Sequence, residues 1–171
     1  MKNKIVIIGM PGSGKTTIGK LLSEELRLKF IDMDEYIQET TSKTIAELFE
    51  QGEEYFRDIE TKACKELMKY ENILISTGGG VVKKSVNVDI LKKDALIIFI
   101  DRPVEEILND VDVSKRPLLK DGKEKVISLY EERYELYKEA ADKIVINDSD
   151  MESVIKKIKE IIVSYGKEVR I

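Results

Sequence analysis

"GMPGSGKT", residues 9–16, lies between the apolar run "IVII" (5–8) and the amphipathic "TIGKLLSEEL" (17–26). Gly9, Gly14, Lys15 and Thr16 complete the pattern G-x-x-x-x-G-K-[ST], in the strand–loop–helix setting the pattern requires. Glycines let successive backbone N–H groups turn inward as a nest for phosphate oxygens, and the following helix adds the positive end of its dipole. Lysine supplies a mobile charge to the β- and γ-phosphates, and the threonine hydroxyl suits Mg²⁺. A glycine-rich turn with a surface lysine would explain the glycines but not the full pattern in that setting. The loop is read as the cradle of a nucleoside triphosphate.

On either side of this loop, β-rich runs alternate with longer amphipathic ones. Strands are expected at 4–9, 29–32, 72–77, 95–101 and 143–147, all of them continuous apolar runs, as in parallel strands covered on both faces. Helical spacing marks 15–27, 44–69 with a break at Gly52, 122–140 and 151–165. That alternation predicts a three-layer α/β/α domain spanning residues 1–171, with a five-stranded parallel sheet. Ligands in such sheets sit at the carboxyl ends of the strands. The stretch 109–122, "NDVDVSKRPLLKDG", is polar, interrupted by Pro117, and reads as a mobile loop.

The 171 residues carry a net charge of −4, which weighs against a nucleic-acid footprint. The absence of histidine excludes Ser-His and Cys-His catalysis and histidine metal sites. Cys64, the single cysteine, falls on the helical stripe of Ile59, Ala63, Leu67 and Met68 and reads as a buried small hydrophobe. No apolar run approaches a signal-peptide core or a membrane span, so a cytoplasmic protein with no membrane partner is expected.

A bound nucleotide could serve a switch, a motor or a transferase, and the acceptor side must discriminate. Asp32 and Asp34 follow the second strand, where they could serve Mg²⁺ through water and a hydroxyl-bearing acceptor, or cap the next helix. Arg57 stands on an apolar helical face with Glu60 one turn later, a pairing that suits a planar anion or a surface ion pair. Three glycines, 78–80, end the third strand, where a small ligand would approach the backbone closely. Arg133 and Tyr137 share a helix face, which taken alone means packing.

In this order the P-loop, "DMD" (32–34), "GEEYFRDIE" (52–60), "TGGG" (77–80), "RPLL" (116–119) and "ERYELY" (132–137) resemble the shikimate kinase family over almost the whole chain. The resemblance implies a nucleoside monophosphate kinase-like P-loop fold with a lid at about 109–122, acting as a monomer. It implies transfer of the γ-phosphoryl of ATP, with Mg²⁺, to the 3-hydroxyl of shikimate, a step of chorismate and aromatic amino-acid biosynthesis. By resemblance Gly12, Ser13, Gly14, Lys15, Thr16 and Thr17 wrap the phosphates, and Thr16 with Asp32 serves the metal. Lys15, Asp34 and Arg116 act in catalysis, Arg116 swinging in with the lid towards the nucleotide. Asp34, Arg57, Gly79 and Arg133 hold shikimate.

Two departures from the family pattern bear on the base. Asn109 stands where many members carry an adenine-stacking arginine, and "NDSDMES" (147–153) replaces a loop that is often basic. Both predict weaker reading of the base with the reaction class unchanged. A kinase for another small acid, such as gluconate, or a nucleotide switch without turnover would share the P-loop. The paired arginines and the glycine triplet favour shikimate.

Overall fold

A computed structural model describes residues 4–110 and 122–168, the side chains of 167 and 168 excepted. Five strands, β1 (Lys4–Ile8), β2 (Lys29–Asp32), β3 (Ile73–Ser76), β4 (Ala95–Asp101) and β5 (Lys143–Ile146), form one parallel sheet in the order β2-β3-β1-β4-β5. Each expected strand is present to within a residue or two. The helices are α1 (Lys15–Leu26), α2 (Met33–Thr41), α3 (Ile45–Glu50), α4 (Glu53–Leu67), α5 (Ser85–Lys92), α6 (Val104–Asp110), α7 (Lys123–Ala140) and α8 (Met151–Glu168), with a 3₁₀ turn at Val81–Lys83.

Strand pleating sorts the apolar runs into two cores, because successive side chains point to opposite faces. Ile5, Ile7, Leu74, Leu96, Ile98 and Ile100 pack with Ile18 and Leu22 of α1 and with Val154 and Ile158 of α8. Val6, Ile8, Ile73, Ile75, Ile97 and Phe99 face the other way, against α2, α4, α5 and α7. The inner strands β1, β3 and β4 are covered on both faces, which is why they read as unbroken apolar runs. The edge strand β5 leaves Ile144 and Ile146 exposed, against the expectation for all five. Each fully buried aliphatic side chain contributes about 1.5–3 kcal/mol, so the sheet is a stiff platform for its carboxyl edge. Cys64 lies in the second core, and burial pushes its thiol up to about 12, which leaves it chemically inert.

After β1 the chain runs to one side, through β2 and β3, and then crosses to β4 and β5. β1 is therefore the switch point of the sheet, and the loop after it opens into the crevice where such folds bind ligands. Gly52 splits the long helical pattern as expected, with φ at 114° between α3 and α4. Three short helices, α2, α5 and α6, were not apparent from spacing. Among the described residues no helix is long and apolar enough to cross a membrane.

Candidate active site

The loop after β1 sits at one end of a cleft of about 720 Å³. Pro11, Gly12, Gly14, Lys15, Thr16 and Thr17 line it, together with Asp32, Asp34 and Thr77–Gly79. α1 begins at Gly14 with no side-chain cap and no acid in its first turn. Its first N–H groups are thus left for an anion. Gly9 is required by close approach: a Cβ there would stand 2.6 Å from the Ile100 carbonyl of β4. Lys15 is buried, and its Nζ donates to the carbonyls of Gly9 (2.9 Å) and Met10 (2.8 Å).

Asp32 does two things. Its Oδ1 accepts from the amides of Asp34 (3.0 Å) and Glu35 (3.2 Å), capping α2, while its Oδ2 accepts from the Thr16 hydroxyl at 2.9 Å. Ser76 Oγ lies 3.4 Å from the same hydroxyl. The cap leaves Asp34 on the first turn of α2, on the wall of the cleft.

Behind that wall lie the arginines. Arg57 and Arg133 are almost fully buried, and neither lines the cleft directly. Arg57 Nη1 donates to Glu60 Oε2 at 3.0 Å, and its guanidinium rests against the rings of Phe49 and Phe56, themselves stacked at 4.3 Å. Burial pushes Glu60 up to about 7; the charges of Arg57 and, more weakly, Arg133 pull it down, while Asp34 pushes it up. All four side chains therefore share one electrostatic neighbourhood. Tyr137 donates its hydroxyl to the Gly79 carbonyl at 2.5 Å and stacks on Phe99.

The glycine triplet has a physical reason that spacing did not show. A Cβ on Gly78 would stand 2.8 Å from Asp34 Oδ1, and one on Gly79 would stand 2.7 Å from Pro11 Cδ. One on Gly80 would collide with the Arg57 guanidinium. The bare backbone makes room for the site's own side chains, and Gly78 and Gly79 also form part of the cleft wall.

The family model described as "Shikimate kinase" matches residues 11–163. The chain belongs to the shikimate kinase family. A shikimate kinase of Clostridium botulinum (strain Alaska E43 / Type E3) is 65% identical over 164 residues, covering 96% of this chain and 99% of that one. The solved shikimate kinase from Acinetobacter baumannii in complex with shikimate superposes with a TM-score of 0.88 at 32% identity, covering 95% of this chain and 93% of that one. A gluconokinase from Sinorhizobium meliloti, at 12% identity and a TM-score of 0.66, shares the fold alone.

Set in the shikimate kinase family, two side chains that sequence reasoning passed over stand out. Arg102, just past β4, donates from Nη1 to the Gly12 carbonyl at 3.1 Å and is held by Glu106 and Asp110 of α6. Asn147, just past β5, donates from Nδ2 to the Ser13 carbonyl at 2.9 Å. Two consecutive carbonyls of the phosphate loop are thereby held by side chains from neighbouring strand ends. The remainder of "NDSDMES" serves the fold, since Asp150 accepts from the amide and hydroxyl of Ser153 and so caps α8. Asn109 is exposed near the end of α6. Arg116 and the rest of the expected lid, residues 111–121, lie outside the described residues.

Proposed function

We propose that this chain transfers the γ-phosphoryl group of ATP to the 3-hydroxyl of shikimate, as a step of chorismate and aromatic amino-acid biosynthesis. One observation carries the reading: a single cleft is lined by a nucleotide loop and by a carboxylate with two buried arginines nearby, in a chain of this family. Shikimate offers one carboxylate and several hydroxyls, and each has a counterpart of opposite chemistry.

Gly12–Thr17 take the phosphates, and Lys15 moves from its loop carbonyls to the phosphate oxygens it neutralises. Asp34 accepts the proton of the attacking hydroxyl. The new bond forms from that oxygen to the γ-phosphorus, and the bond to the β–γ bridging oxygen breaks, its electron pair leaving with ADP. Arg57, Arg133 and the backbone at Gly79 hold the acceptor in line, converting an encounter into a positioned reaction. Arg116, by resemblance, adds charge at the transferring group.

Mg²⁺ fits the oxygens at Thr16 and Asp32, a hydroxyl and a carboxylate 2.9 Å apart, since this hard ion is usually held by one or two protein oxygens with waters and phosphates. When bound it neutralises phosphate charge. We place the enzyme in the cytoplasm, where its one buried thiol stays reduced, acting as a monomer as the family resemblance implies.

ADP release with Mg²⁺ and ATP, measured with shikimate, with gluconate and with no acceptor, tests the reading. Release that requires shikimate is expected. Release with gluconate alone, or equal release without any acceptor, would replace it.

A further inference from the structure

Two carboxylates stand beside the buried arginines, and one lysine holds both. Lys83 ends the 3₁₀ turn that follows the glycine triplet. Its Nζ lies 2.7 Å from Glu53 Oε1 on α4 and 3.1 Å from Glu132 Oε1 on α7. The same two oxygens also face the arginines, at longer range: Glu53 Oε1 accepts from Arg57 Nε and Nη2, both at 3.4 Å, and Glu132 Oε1 is 3.6 Å from Arg133 Nε. The ammonium is the nearer partner of both carboxylates. Its hydrogen bond is the largest cause holding Glu53 below the usual carboxylate range. At Glu132 partial burial pushes upward, and Lys83 with Arg133 outweighs it.

The consequence falls on Arg133. Its Nε and Nη1 are buried and have no hydrogen-bond partner among the described residues. Buried N–H groups of a charged side chain are costly to leave unpaired, so an incoming carboxylate gains from meeting them. Glu132, 3.6 Å from Nε, could fill that role from within the chain and compete with any acidic ligand.

We propose that Lys83 is a positioning residue for acceptor binding, drawing Glu132 away from Arg133 and sharing Glu53 with Arg57, so that the Arg133 guanidinium stays open to the carboxylate of the acceptor. The inference rests on the acceptor being a small carboxylic acid, as argued above. Its plain competitor is an ion network that merely ties α4 to α7. Such a network would alter stability without singling out one substrate.

Lys83→Met keeps the length of the side chain and removes its charge. The shikimate KM should rise by about five- to thirty-fold, the range of one to two partly exposed ion pairs, while the ATP KM moves by less than about twofold. Adding Glu53→Gln and Glu132→Gln to Lys83→Met should bring the shikimate KM back towards wild type, because neutral amides compete poorly for a guanidinium. Lys83→Arg should stay near wild type. An unchanged shikimate KM in Lys83→Met, an equal rise for both substrates, or no recovery in the triple variant would each overturn the proposal. If Lys83→Met does not fold, Glu53→Gln/Glu132→Gln in the wild-type background decides: the shikimate KM should fall, and a rise overturns the idea. Wild-type turnover with shikimate in the same assay separates the two levels. Its absence would remove the acceptor assignment and the lysine's role with it.

Discussion

Asp32 ties the second helix to the phosphate loop. Its two oxygens face different ways, one capping α2 and the other holding the Thr16 hydroxyl, so the helix that presents Asp34 starts from the residue that orients the phosphate loop. Asn147 and Arg102 act on that loop from the far side, pinning the carbonyls of Ser13 and Gly12. With those carbonyls held, the neighbouring amides are preorganised for phosphate. Asn147→Asp tests this at one atom, since it keeps the shape but turns a donor into a charged acceptor facing a carbonyl. Loss of the bond, with the carbonyl left unpaired, costs about 1–3 kcal/mol, or roughly five- to 150-fold in affinity for ATP and for tripolyphosphate. Shikimate affinity should hold. Unchanged ATP binding in a folded Asn147→Asp protein would show that the carbonyl needs no such partner. The motif residues of this loop were legible because their spacing is the signal. Asn147 and Arg102 were not, because their partners are set by β4 and β5 lying beside β1, a fact of sheet order that local sequence does not carry.

The elements that were legible are those with the strongest apolar patterns. Every strand read as a short apolar run, and α1, α4, α7 and α8 read as stripes. The break at Gly52 was legible too, since a positive φ there suits glycine. α2, α5 and α6 were missed for a common reason. α2 buries Met33 and Ile37, α5 buries Asn87 and Leu91, and α6 buries Ile107 alone. One or two inward residues make no period, and tertiary packing decides the structure instead. The glycine triplet was legible as a place where backbone must be bare, but its occupants were not. Asp34, Pro11 and Arg57 reach it from three separate segments, and only the packed fold brings those segments together.

Across the whole molecule, the charge cluster behind the cleft couples function to stability. Glu60, 1% exposed, titrates near 7 in the native protein against an ordinary value of 4.5. The native state therefore binds more protons than the unfolded chain between those values, and this group's contribution to stability is lost as pH rises through the window. Unfolding of wild type and Glu60→Gln by urea at a series of pH values should show the wild type losing ground to the variant between pH 4.5 and 7. A constant difference across that range would mean that Glu60 is ionised throughout. In the function proposed above, the same cluster makes the cleft a site for an acidic, hydroxylated acceptor and not simply for nucleotide. Identification of the product by phosphorus–proton NMR, after incubation with ATP, Mg²⁺ and shikimate, tests that claim most directly. One new phosphate ester is expected, coupled to the proton on carbon 3 of shikimate; an ester at another hydroxyl, or ADP released with no new ester, would contradict it.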